Sequence, residues 1–116
     1  MEVDRNYILK LLKSHRPEQI KITEKTAYKI ENVHDIKIEE VKNRLSNPKD
    51  LESVEEQPSR HESQRTFQLI FRKSSKKSLF VIITENKDSG TLFLVTAFET
   101  SKKLEKLIKR GRIRRL

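Results

Sequence analysis

Cysteine is absent from the chain, and with it go every disulfide, every zinc-thiolate site and any thiol nucleophile. Glycine occurs only at Gly90 and Gly111, and there is no P-loop, no dinucleotide-binding glycine pattern, no HExxH pair and no clustered set of metal ligands. Catalysis built on a recognised cofactor, metal or nucleotide cradle is therefore not expected. No apolar run approaches the ~18 residues that a membrane-spanning helix needs. The opening MEVDRNYILKLLK lacks the apolar core of a signal peptide. A soluble, cytoplasmic protein with no membrane association is the expectation.

What the sequence has in abundance is charge. Charged residues make up 37% of the 116 residues and apolar residues 34%, but the apolar ones fall in periodic segments, which argues for an ordered single domain over 1–116. The net charge of +9 is unevenly placed: residues 102–116 hold eight Lys or Arg against one Glu, a local +7 that leaves only +2 for the rest. Clustered cations gain affinity for polyanions by releasing counterions, so the pattern favours nucleic acid, an acidic protein or an anionic membrane surface as partner.

The strongest pattern is residues 66–98, which read as three consecutive antiparallel strands. Leu79 to Ile83 is an unbroken apolar run ended by Glu85-Asn86, the mark of a central strand buried on both faces. Phe67, Leu69 and Phe71 precede it, and Leu92 to Val95 with Ala97-Phe98 follow. Lys73 to Lys77 and Glu85 to Gly90 are the connecting loops, with Gly90 suited to a positive φ. The five Phe are assigned to core packing.

Around this meander the helical period recurs. Asp4 is a candidate cap for a helix to about Lys13 with Tyr7, Ile8, Leu11 and Leu12 on one face, closing the N-terminal region 1–18. After Pro17, a short strand is expected at Ile20 to Ile22. Thr23 then caps a helix from Glu24 to about Val33, and a third runs from Ile38 to Ser46, stopped by Asn47-Pro48. Leu51 to Val54 is compatible with an edge strand, and residues 55–65 read as a polar loop. Thr100 or Ser101 would cap a last basic helix whose Leu104, Leu107 and Ile108 face the body, followed by a tail to Leu116. The expected fold is α+β: an antiparallel sheet built on a three-strand meander, with N-terminal helices and a C-terminal basic helix packed on it.

Taken together, several short motifs resemble a known family. Ile22-Thr23, Ile30, Ile36, Val41 and Asn47-Pro48, followed by Val95-Thr96-Ala97-Phe98, look like the pattern of small domains that open on I-T-x-H-A, carry N-P after a second helix and end on V-T-A-aromatic. Over residues 20–101 the chain is thus similar to RelE-like toxins, of the barnase, EndoU, colicin and RelE group of metal-independent ribonucleases. The resemblance implies attack of an RNA 2′-hydroxyl on the adjacent phosphate, with no metal or other cofactor and with RNA or an acidic antitoxin-like protein as partner.

Carried over by position, Lys25 stands where the family often has His, and Lys29 where it often has Arg. They are four apart on one helix face, placed to grip a phosphate. Arg72 is the candidate for stabilising charge on phosphorus because its fork holds two oxygens. Thr96 completes the catalytic candidates. Lys73, Lys76, Lys77, Lys102, Lys103, Lys106, Lys109, Arg110, Arg112, Arg114 and Arg115 are the candidate nucleic-acid contacts. Any of His15, His34 and His61 becomes a candidate base if the fold brings it to the sheet. A non-catalytic nucleic-acid-binding module and a protein-interaction domain remain open as alternatives.

Overall fold

The structure, a computed structural model, describes residues 5–59 and 61–101. Within them the elements are α1 (Arg5–Lys13), a 3₁₀ turn (Pro17–Gln19), α2 (Glu24–Asn32), α3 (Ile38–Ser46), β1 (Leu51–Gln57), β2 (Gln64–Arg72), β3 (Lys77–Asn86) and β4 (Leu92–Ser101). The fold is α+β, with one antiparallel sheet in the order β1-β2-β3-β4.

Each helix forms where apolar residues recur at helical spacing and buries that stripe. Ile8, Leu11 and Leu12 of α1, Ile30 of α2, and Val41 and Leu45 of α3 are buried. Thr23 caps α2, its hydroxyl accepting from Thr26 N at 3.1 Å. Pro17, at the first position of its turn, needs no partner for a missing N–H. Past α2, Asp35 takes a positive φ of 54° and lets Ile36 N return to Ile30 O at 3.1 Å. A short polar side chain tolerates this left-handed position at a helix end, and Ile36 drops into the core.

In the sheet the helices all cover one face. Phe67, Leu69 and Phe71 of β2 pair with Ile83, Val81 and Leu79 of β3, and these six join the buried residues of all three helices in a single core. Complete burial of a side chain such as Phe67 or Phe71 contributes about 1.5–3 kcal/mol each. The opposite face carries Ile70 paired with Phe80, which pairs with Phe98, and Gln68 paired with Ile82, which pairs with Thr96. β3 is thus inner and buried from Ser78 through Thr84, as its unbroken apolar run implies. Gly90 has φ 73° in the β3–β4 turn, the left-handed conformation expected of it.

Several expectations are corrected. The three-strand meander is present as β2, β3 and β4, and the edge strand expected at Leu51 to Val54 forms but runs on to Gln57, pairing along β2 through Gln57↔Thr66. Residues 55–57 and 64–65, read as loop, therefore lie in strands; of the glutamates that suggest a loop, Glu52 and Glu56 are ion-paired and Glu55 is exposed on the edge strand. Ile20 to Ile22 is no strand. Lys21 alone makes an isolated parallel bridge to Phe93, held by Lys21 N to Leu92 O and Leu94 N to Lys21 O, both 2.8 Å. The 3₁₀ turn before it and the helix cap at Thr23 leave too few residues for more. Phe93 is 37% exposed and not core. Thr100 and Ser101 belong to β4, and the basic helix expected beyond them lies outside the described residues, as does Asp4.

Candidate nucleic-acid interface

Register decides which cations meet. Arg72 ends β2 and pairs with Ser78, while Thr96 pairs with Ile82, four residues further along β3. Both lie on the sheet face away from the helices. At about 3.3 Å per residue and 4.8 Å per strand they are separated by ~16 Å, too far to act on one phosphate. Arg72 is moreover ion-paired through Nε to Glu52 of the neighbouring strand. Lys73 sits on the other face, its ammonium between Glu99 Oε2 at 2.6 Å and Glu40 Oε1 at 3.0 Å. Burial alone would push the Lys73 pKa down, but the hydrogen bonds to Glu99 and Glu40 outweigh it and the pKa is raised. Sequence order placed Arg72 and Lys73 together as phosphate contacts; the fold ties both to carboxylates.

Lys76 and Lys77 differ. The β2–β3 turn is pinned by Ser74, whose hydroxyl accepts from Lys76 N and Lys77 N at 3.3 and 3.1 Å, while Lys73 N and Ser74 N both donate to Lys77 O at 3.1 Å. Both lysine side chains are exposed, and neither is ion-paired among the described residues. Lys77 pairs with Ser101, so the chain leaves β4 at this turn and the basic segment 102–116 begins there. Lys102, Lys103, Lys106, Lys109, Arg110, Arg112, Arg114 and Arg115 are outside the described residues.

A second grouping forms along the β4 edge. Lys25 and Lys29 are exposed on α2, beside Tyr28, which is 67% exposed. The His34 ring lies 6.1 Å from that of Phe98, which stacks on Phe80 at 5.3 Å. Burial first, and then the Lys29 ammonium, hold the His34 pKa below its usual value, so the ring is neutral near pH 7. Among the described residues, His34 Nε2 and Thr96 Oγ1 are buried polar atoms with no hydrogen-bond partner. Lys29 and Thr96 are thus brought to one edge through His34 and Phe98; Arg72 is not. His34 is the histidine that the fold carries to the sheet. In sequence it sits in a connector 64 residues before Phe98, and no local signal marks it. His15 instead bridges Leu11 O and Gly90 O, each 2.9 Å from a ring nitrogen, and His61 is exposed in the β1–β2 loop.

A depression of about 510 Å³ lies at the other end of the sheet among Glu56, Ser59, Arg65 and Lys87. Its guanidinium is committed: Arg65 forks onto Glu56 at 2.9 and 3.1 Å and stands over the Tyr7 and Phe67 rings at 4.8 and 5.1 Å. Tyr7 in turn donates to Glu85 Oε1 at 2.5 Å. This cluster ties α1 to the sheet. Among the described residues no group of three His, Asp or Glu is placed to hold a metal, and no helix is long and apolar enough to cross a membrane. No family model matches the chain, and neither curated proteins nor solved structures provide a match.

Proposed function

We propose that the chain is a RelE-like, toxin-type RNA-binding domain of the cytoplasm that grips phosphates at the corner where β3 begins and β4 ends. The observation that supports this reading is the Lys77↔Ser101 register, because it starts the +7 segment beside two exposed lysines of the β2–β3 turn. Two basic stretches far apart in sequence then act as one cationic surface, to which an acidic antitoxin-like protein would compete with RNA. The test is the salt dependence of binding to single-stranded RNA. Replacing Lys76 and Lys77 by Ala lowers the slope of log K against log salt by about 1.4, at ~0.7 per phosphate contact. An unchanged slope removes this corner from the interface.

A second reading, metal-independent cleavage, is favoured by the neutral His34 beside Lys29. The imidazole would take the 2′-hydroxyl proton as its oxygen attacks phosphorus, the 5′-oxygen would leave with a proton from a second group, and a 2′,3′-cyclic phosphate would remain. Lys25 and Lys29 would hold the phosphate in this scheme. Incubation with mixed RNA in EDTA tests it: cyclic-phosphate ends that vanish in His34→Asn support it, and RNA that is bound but intact leaves the non-catalytic module. Arg72→Ala serves as the control for a residue paired with Glu52, and loss of cleavage there alone would move the site to the sheet end.

A further inference from the structure

Along one side of α1, Arg5, Leu9 and Lys13 recur every four residues, next to the buried stripe of Ile8, Leu11 and Leu12. Opposite them stands the turn that leaves α3, Asn47-Pro48-Lys49, and between the two lies a groove of about 270 Å³ lined by these six residues. Leu9 packs against the core and Pro48 is buried, so the floor is apolar. Arg5, Lys13, Asn47 and Lys49 are exposed at the rim. We propose that this groove is a binding site for two phosphate groups carried by one ligand. Eight residues of helix set the Arg5 and Lys13 backbones ~12 Å apart, more than a single phosphate spans, and Lys49 adds a third cation from the turn.

The groove holds positive charge that nothing nearby cancels. Three cations line it and no carboxylate does. The two carboxylates next along the chain are turned to other partners: Asp50 lies 3.4 Å from Arg44, and Glu52 pairs with Arg72. Among the described residues none of Arg5, Lys13 and Lys49 forms an ion pair. Arg5 is also held in place. Its guanidinium donates to Glu52 O at 3.1 Å and to Leu51 O, neutral acceptors that fix the fork without cancelling its charge and leave further N–H groups for a ligand. A guanidinium ordered in advance lowers the entropy cost of binding. Carbonyls of the turn that would repel an anion are taken, Asn47 O by Lys49 N at 2.9 Å and Pro48 O by Leu51 N at 3.2 Å. The exposed Asn47 amide adds a neutral donor. Phosphates of an RNA strand and of a free nucleotide share this chemistry. The site itself does not rest on the RNA reading, and neither Lys76 nor Lys77 lines it.

Inorganic pyrophosphate is the probe, titrated into the full chain at constant ionic strength and followed by NMR. Saturable shifts are expected at Arg5 Nε–H, the Asn47 side-chain amide and Lys49 N–H. Lys13→Gln combined with Lys49→Gln should weaken pyrophosphate about tenfold, at roughly threefold per exposed ammonium removed. Lys25→Gln with Lys29→Gln takes the same charge from α2, outside the groove, and should leave the affinity within about twofold. All four lysines are exposed and none is ion-paired among the described residues, so both variants keep the fold. Equal losses in the two variants, or shifts that leave the three groove positions unmoved, would overturn the proposal. Two further titrations separate the sources. Oligouridylate moving the same resonances assigns the groove to an RNA strand; uridine diphosphate moving them while oligouridylate does not assigns it to a free nucleotide. If neither moves them, pyrophosphate is an adventitious ion only and the proposal fails. The salt slope of the Lys76 and Lys77 variant is read separately, so either reading can fail without the other.

Discussion

Lys73 offers a quantitative check on the ion-pair reading of the β2 end. Its side chain is 20% exposed and its ammonium is shared by Glu99 and Glu40, which link the last strand and α3 to the end of β2. Lys73→Met keeps most of the stem and removes the charge. Charge-assisted hydrogen bonds contribute about 1.5–3 kcal/mol when well shielded. The two carboxylates are about a third exposed, so solvent screening reduces this to about 1 kcal/mol for Glu99 and about 0.5 kcal/mol for Glu40. The variant should lose about 1.5 kcal/mol, or about 7 °C in Tm. The pH dependence has a definite sign. Hydrogen bonding to Glu99 and Glu40 overcomes the effect of burial and raises the folded-state pKa above 10.5, so the stabilisation is fully present below that pH and is lost as pH rises through the folded value. Urea unfolding of both proteins between pH 7 and 11 measures it. A variant as stable as the parent at pH 7, or a difference that does not close above pH 10.5, refutes the reasoning.

Three further outcomes follow from local geometry. Thr23→Ala leaves Thr26 N without its cap and should lower stability by about 1 kcal/mol, with Thr23→Ser restoring most of it in a denaturant titration. Gly90→Ala meets no atom within 4 Å but must adopt φ 73°, so a loss of about 1 kcal/mol without any packing change is expected; a neutral variant would show that the turn relaxes. The His34 ring should titrate below 6.5 by NMR, because burial and Lys29 disfavour its cation, and stability should fall as pH drops from 6.5 through the folded pKa. Lys29→Gln should move that titration only part of the way back, since the burial remains.

The parts of the fold that depend on neighbouring residues were readable from the sequence. The run Leu79 to Ile83 announced an inner strand, Thr23 a helix cap, Gly90 a left-handed turn, and α3 was placed from Ile38 to Ser46 by its apolar spacing and Asn47-Pro48. β1 was marginal because Leu51 and Val54 are its only apolar residues; its strand character comes from pairing with Ile70, Leu69 and Phe67, which no local pattern reports. The site was less legible for the same reason. Whether Arg72 faces a phosphate or Glu52 depends on a bulge between Leu51 and Ser53. Whether His34 is a connector residue or a ring on the sheet depends on Phe98. Lys25 and Lys29, four apart, share a face of α2 as their spacing implies, but their distance from Arg72 depends on tertiary packing that no local pattern reports.

The order of the strands in the sheet is their order in the chain, so β1 to β4 assemble through three short reversals. The helical half has no such local route. Tyr7 reaches Glu85, His15 reaches Gly90 and Lys21 reaches Leu92, so the first 21 residues find their partners some 70 residues later. Although Arg5 already meets Leu51 O and Glu52 O at the β1 edge, the N-terminal segment completes its docking only when Glu85 of β3, the turn at Gly90 and the start of β4 are in place. Folding from denaturant should therefore form the hairpins before the N-terminal helices dock, and the hydrogen-exchange protection of α1 should be the last to appear.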